Sequence, residues 1–143
     1  VLLAGLVGLA ACAPRQGPTA DETAAMSAPP ANQGRIYFYR PEMPFLAANV
    51  PVIIVNDRRI GRLRSGEMLF RNAKPGRYAI RISTDVQRTL SLSVASGRQY
   101  YIKIGPKWDG LGWRLRAMQT ERATARPAMK KLVVVSGPDP DAE

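Results

Sequence analysis

The chain has 143 residues, room for one domain of ordinary size with targeting and linker segments around it. It is 45% hydrophobic and strongly basic, with 21 Lys and Arg against 11 Asp and Glu, and it contains no histidine. Lack of His removes the commonest general base and the commonest metal ligand together, and with them most hydrolase triads and zinc sites. The expectation is a protein that is not an enzyme and carries no catalytic residue, cofactor or metal.

Residues 1–11 (VLLAGLVGLAA) are an uncharged apolar run of signal-peptide length, too short to span a bilayer, and the chain's single cysteine, Cys12, follows at once. Leu9-Ala10-Ala11-Cys12 resembles the lipobox of bacterial lipoproteins, in which a Leu and two small residues precede the lipid-bearing cysteine. The resemblance implies that Cys12 takes a diacylglyceryl group, that the segment before it is removed, and that the membrane is a partner through that residue. Several acyl chains sum to durable attachment where one gives only marginal binding. The residue after the cysteine is Ala13 rather than the Asp that marks inner-membrane retention, so the resemblance implies an outer-membrane lipoprotein facing the periplasm. No Met and no basic segment precede the apolar run, and a start further upstream is expected.

Residues 12–33 comprise the lipidated Cys and a Pro-, Ala- and Ser-rich stretch without apolar periodicity, expected as a flexible tether of about 70 Å at full extension. From Gly34, short apolar runs recur between turn signals at the spacing of a small antiparallel β-sandwich of seven to eight strands with a short C-terminal helix, an all-β domain over 34–136. Residues 35–40 (RIYFYR) open it and Pro41 stops them. Residues 52–55 (VIIV) read as a central strand, and Asn56-Asp57 can supply the positive φ angles of a tight hairpin into the return strand 59–63. Ser65-Gly66 turns the chain into 68–73. Lys74-Pro75-Gly76-Arg77 predicts a type II turn, with Pro and Gly at its central places. Tyr78, Ile80 and Ile82, then Leu90, Leu92 and Val94, then Tyr100, Ile102 and Ile104 alternate with polar or small residues. A Gly-rich loop (Gly105, Gly110, Gly112) leads to a last alternating strand at Trp113, Leu115 and Ala117. Thr120 reads as a helix cap, with a second helical turn beginning near Pro127, and 137–143 is expected to be a disordered tail.

Gly34-Arg35-Ile36-Tyr37-Phe38-Tyr39-Arg40-Pro41, Val55-Asn56-Asp57 with Ile60-Gly61-Arg62-Leu63, Lys74-Pro75-Gly76-Arg77-Tyr78 and Gly97-Arg98-Gln99-Tyr100-Tyr101-Ile102 together resemble a family of small bacterial lipoproteins. The β-domain of that family is catalogued only as a domain of unknown function, related in pattern to PEGA-type β-modules. The resemblance covers about residues 34–132 and brings no catalytic residues with it.

From residue 34 to 136 there are 20 basic residues and 6 acidic ones (Glu42, Asp57, Glu67, Asp85, Asp109 and Glu121), a net of +14 by subtraction. Arg62 with Arg64, Arg77 with Arg81, and Arg114 with Arg116 stand at even spacing, so each pair projects from one side of its strand and is a candidate anion-binding group. Envelope anions with matching chemistry are anionic lipid, lipopolysaccharide and the carboxylates of peptidoglycan; export separates the chain from nucleic acid. The same arginines also fit an ordinary solvated surface written by a GC-rich genome. Tyr37, Tyr39 and Tyr101 read either as sheet packing or as an exposed aromatic platform, and Trp108 to Trp113 either as a binding loop or as a plug closing the end of the sandwich. The chain therefore reads as a lipid-anchored envelope binding or assembly module, with envelope stabilisation through the Arg-rich face as the alternative.

Overall fold

The computed structural model describes residues 27–135; residues 1–26, Cys12 and the apolar segment among them, and 136–143 lie outside the described residues. The described chain runs β1 (Gly34–Tyr39), β2 (Val52–Val55), β3 (Arg58–Arg62), β4 (Glu67–Ala73), β5 (Gly76–Ile82), β6 (Leu90–Val94), β7 (Gln99–Trp108), β8 (Trp113–Thr120), helix α1 (Arg122–Met129) and β9 (Val133–Val134). The strands form a five-stranded sheet in the order β8-β7-β1-β4-β9 and a four-stranded sheet in the order β3-β2-β5-β6. The expected all-β class holds. Nine strands replace seven to eight, because Val133 and Val134 add a short edge beside Glu67 and Met68.

Alternation along β1 builds two cores at once. Ile36 and Phe38 face the four-stranded sheet and pack with Ile53, Leu69, Ile80, Ile82, Leu92, Ile102 and Ile104. Tyr37 and Tyr39 face the other way, into a second cluster with Met68, Tyr101, Ala125, Met129 and Leu132, where α1 covers the sheet. Tyr37 stacks on Tyr101 with centroids 5.2 Å apart and planes 6° apart, and the Tyr39 hydroxyl lies 2.8 Å from Thr120 Oγ1. Arg126 of the helix donates from Nε to the Tyr101 hydroxyl (3.1 Å) and from an Nη to Gln99 Oε1 (2.7 Å), so the helix is pinned as well as packed. The tyrosines are buried packing, not an exposed platform.

Four further expectations are corrected. The five-stranded sheet is mixed rather than antiparallel, since β1 runs parallel to β7 and β4 parallel to β9. Lys74 to Arg77 is not a type II turn: Gly76 has φ +154° and begins β5, and the chain is crossing from one sheet to the other rather than folding back on β4. Thr120 ends β8, and the residue capping α1 is Glu121, without a side-chain cap bond; the helix continues through Pro127. The Gly-rich loop begins later than Gly105, because β7 continues to Trp108. That extension outruns β1, whose pairing ends at Lys103, so Pro106 sits where only β8 flanks the strand and the missing N–H costs no ladder bond on the other side.

Asn56 and Asp57 do form the expected tight hairpin, at φ 49° and 64°. Asn56 Oδ1 also accepts from the Ala79 amide at 2.8 Å, tying the hairpin to β5. Before β1, the Ser27 carbonyl accepts from an Arg35 Nη (2.8 Å) and the Gln33 carbonyl from Gly97 N (2.9 Å), so residues just ahead of Gly34 lie against the domain.

Arg40, directly after β1, is fully buried. One Nη donates to the carbonyls of Asn49 and Leu63, the latter at 3.1 Å, and the other to Leu46 at 2.7 Å. A cation thus ties two carbonyls of the 41–51 loop to that of Leu63, just after β3. Burial pulls its pKa below the usual guanidinium value, opposed by the nearby Glu67 carboxylate. A guanidinium remains protonated regardless.

Candidate functional site

The four-stranded sheet presents one basic face. Ile80, Ile82, Leu92 and Val94 point into the sandwich, so Arg77 and Arg81 of β5 and Ser91 and Ser93 of β6 point outward. On β3, Arg62 pairs with Val52 and Gly61 with Ile53, but Ile54 pairs with Arg59, leaving Ile60 without a cross-strand partner. This bulge shifts alternation by one, so Arg59 and Arg62, three residues apart, share a face. Ile54 is flanked by Arg59 on one side and Arg81 on the other. Asp57 at the hairpin tip pairs with Arg81 and is the carboxylate of this surface.

Of the six arginines expected at an anion site, the structure therefore places Arg62, Arg77 and Arg81 on one face, with Arg77 further along β5 than β2 reaches. Arg64 lies past the end of β3 in the turn before β4, where its amide donates to Glu67 Oε2 at 2.8 Å. Arg114 and Arg116 stand on β8 in the other sheet, each beside a carboxylate: Arg114 with Asp109 at 2.5 Å and Arg116 with Asp85 at 3.4 Å. Arg59 was not singled out by even spacing, and only the bulge adds it. Around the hairpin the basic surface continues into a cleft of about 1210 Å³ lined by Arg58, Arg71 and Lys74, with Asp57, and by the apolar Val55, Ile60 and Tyr78. Arg71 reaches from β4 to β3, donating to the Ile60 carbonyl at 2.6 Å, and burial lowers its pKa. Cations spread over one sheet face, and those lining the partly apolar cleft beside it, can hold a carboxylate or phosphate by forked hydrogen bonds. Among the described residues no group of three His, Cys, Asp or Glu could hold a metal.

A family model matches residues 30–109 of the chain. The chain belongs to the DUF2846 family, described as a protein of unknown function. The expected β-domain of unknown function is thereby established at that level. The DUF2846 match takes in β1 to β7, with the basic face and the cleft, and stops at Asp109; β8, α1 and β9 lie beyond it. No curated protein and no solved structure matches the chain.

The segment where the DUF2846 match ends is the opposite of a plug. Phe45, Trp108 and Trp113 are each just over half exposed, and Leu111 is 89% exposed. Trp113 meets Trp108 and Phe45 edge-on, at centroid distances of 5.7 and 6.2 Å. Asp109 Oδ1 accepts from the amides of Leu111 and Gly112, both at 2.8 Å, and Asp109 N donates to the Gly112 carbonyl. Those two amides, and then Arg114, hold the Asp109 carboxyl below the usual carboxylate range. Since the folded pKa is depressed, this bracing is complete above the ordinary range and is lost only as pH falls through the lowered value.

Proposed function

We propose that the chain is a bacterial envelope lipoprotein, anchored in the outer membrane through lipidated Cys12 and facing the periplasm, whose β-sandwich is a non-enzymatic binding or assembly module for an anionic envelope component. The observation that carries the binding reading is that Arg59, Arg62, Arg77 and Arg81 share one sheet face, where Asp57 pairs with Arg81. The lipobox-like Leu9-Ala10-Ala11-Cys12 supports the anchor. A kinship with PEGA-type modules belongs to the same reading and rests on the pattern of residues 34–41, 55–63, 74–78 and 97–102 together.

Two outcomes test it. Mass spectrometry of the mature protein from its native envelope is expected to show an N-terminal, acylated Cys12, and Cys12→Ser to release the protein from the membrane fraction; an unmodified thiol behind an intact apolar segment would refute the anchor. For the face, neutralising Arg62, Arg77 and Arg81 together is expected to weaken co-sedimentation with peptidoglycan or lipopolysaccharide well beyond neutralising the exposed Arg122, Lys130 and Lys131. Diffuse attraction screens with salt equally in both sets, the Debye length falling from about 10 Å at 0.1 M to about 3 Å at 1 M. Equal losses would mean a basic surface without a site.

A further inference from the structure

The β7–β8 hairpin displays at its end what folding normally hides. Leu111 is the most exposed large apolar residue described, and the rings beside it expose half their surface. The turn is nevertheless not slack. Asp109 fixes Leu111 and Gly112 by their amides, Gly110 takes φ +94°, and Arg114 closes on Asp109, so the apolar tip is preorganised in an outward pose. Residues 104–108 of β7 pair with β8 alone, past the last residue of β1, which carries the tip clear of the neighbouring strands.

The base of the same hairpin is cationic. Lys107 pairs with Arg114 across the strands, and Lys107, Arg88 and Arg116 line a depression of about 220 Å³ with Asp85 as its carboxylate. Asp85 pairs with the largely buried Arg116 at 3.4 Å and with the exposed Arg88 at 3.7 Å, so one carboxylate faces three cations and the depression stays positive. An apolar tip with two tryptophans above a collar of basic residues matches a bilayer surface in depth order. Leu and Trp suit the interfacial region, where an aromatic ring has one apolar end and one polar, and cations suit the headgroup phosphates. A protein partner would satisfy the apolar residues but gives no reason for the cationic depression directly behind them.

We infer that the β7–β8 hairpin is a membrane-docking element, inserting Trp108, Leu111 and Trp113 into the interface of an anionic bilayer while the exposed Lys107 and Arg88 engage lipid phosphates. The inference deepens the envelope reading, since a tethered domain would meet that surface constantly, but it stands on the hairpin and not on Cys12. It gives the molecule a defined orientation on the membrane, with the four-stranded sheet's basic face left to bind something else.

Trp108 and Trp113 are the only two tryptophans in the chain, so their fluorescence reports the tip alone. The full chain carrying Cys12→Ser is mixed with vesicles of phosphatidylethanolamine and phosphatidylglycerol. The emission is expected to shift to the blue and to be quenched by lipids brominated near the headgroup. Leu111→Asp is expected to abolish both effects with an unchanged circular dichroism melt, and Arg88→Gln with Lys107→Gln to weaken the vesicle titration about thirtyfold, from roughly one unit of the surface-charge increment per cation. Unshifted, unquenched emission from protein that co-sediments with the vesicles would overturn the inference and leave the anchor untouched. A shift that survives Leu111→Asp would overturn it as well. Failure to find lipid on Cys12, by contrast, would sink the anchor and not the tip.

Discussion

Replacing Arg40 with Met should cost about 3 kcal/mol or more of stability, read as a lowered urea midpoint. Met fills much of the volume but strips the donor from the buried Leu63 carbonyl and the part-buried Asn49 carbonyl, and leaves Leu46 only its bond from the Asn49 amide; an orphaned buried group costs about 1–3 kcal/mol. Loss of the cation also frees the loop it organises. Leu46 has φ +62°, a strained conformation for a residue with a branched side chain, and its carbonyl is one of those Arg40 holds. Arg40→Lys should recover only part of the loss, because an ammonium cannot reproduce the planar fork that reaches three carbonyls from two nitrogens. A second readout follows from Phe45, which lies in the same loop and packs against Trp113. The tryptophan emission of Arg40→Met should change under conditions where the rest of the domain is still folded. A variant with the parent's urea midpoint would show that Arg40 does not organise residues 41–51.

The contrast between Arg40 and the even-spaced arginines explains what a sequence of this kind discloses. Alternation located the strands because a half-buried strand must repeat every two residues, and the Asn56-Asp57 hairpin was legible because few residues accept positive φ twice in succession. Those are local signals. Which strand lies beside which is set by contacts distant in sequence, so the parallel pairing of β1 with β7 left no mark in either segment. Pro75-Gly76 announced a change of direction correctly, but no dipeptide states whether the following strand returns to its own sheet or joins another. For the tyrosines, alternation gave the face and could not say what covers it; α1, more than eighty residues downstream of Tyr37, decides that.

The candidate site was half legible for the same reason. Even spacing found Arg77 and Arg81 on an uninterrupted strand and missed Arg59, which reaches the basic face only because Ile60 bulges out of register. A signal existed in Gly61, a glycine inside an alternating strand that often marks a bulge, but it does not give the direction of the slip. Arg114 and Arg116 have the same spacing as Arg77 and Arg81 and belong to a different surface altogether. Arg40, written at the end of a strand like any solvated residue, is buried because carbonyls from positions 46, 49 and 63 converge on it.

Gly34→Ala should destabilise the domain by about 2 kcal/mol, the middle of the range for forcing an extra carbon into a packed site, and lower its melting temperature by roughly 10 °C. Gly34 begins β1 and tucks beneath the connection between β6 and β7. A Cβ there would come within 2.5 Å of Val94 Cγ1, 2.8 Å of the Ala95 carbonyl oxygen and 3.1 Å of the Arg98 carbonyl oxygen. Val94 can turn its side chain away at modest cost. The two carbonyls cannot, since the Arg98 carbonyl accepts the Arg35 amide at 2.9 Å and the turn at Gly97 is itself bonded to Gln33. Relief must therefore come from moving the start of β1, the strand that contributes to both cores and pairs with β4 and β7. Gly112→Ala is the matched control, because a Cβ there meets nothing within 4 Å and no positive φ is involved; it should melt within about 0.5 kcal/mol of the parent. Equal melting of Gly34→Ala and Gly112→Ala would mean that the β1 entry is looser than its contacts describe, and that the β6–β7 connection does not set where the domain begins.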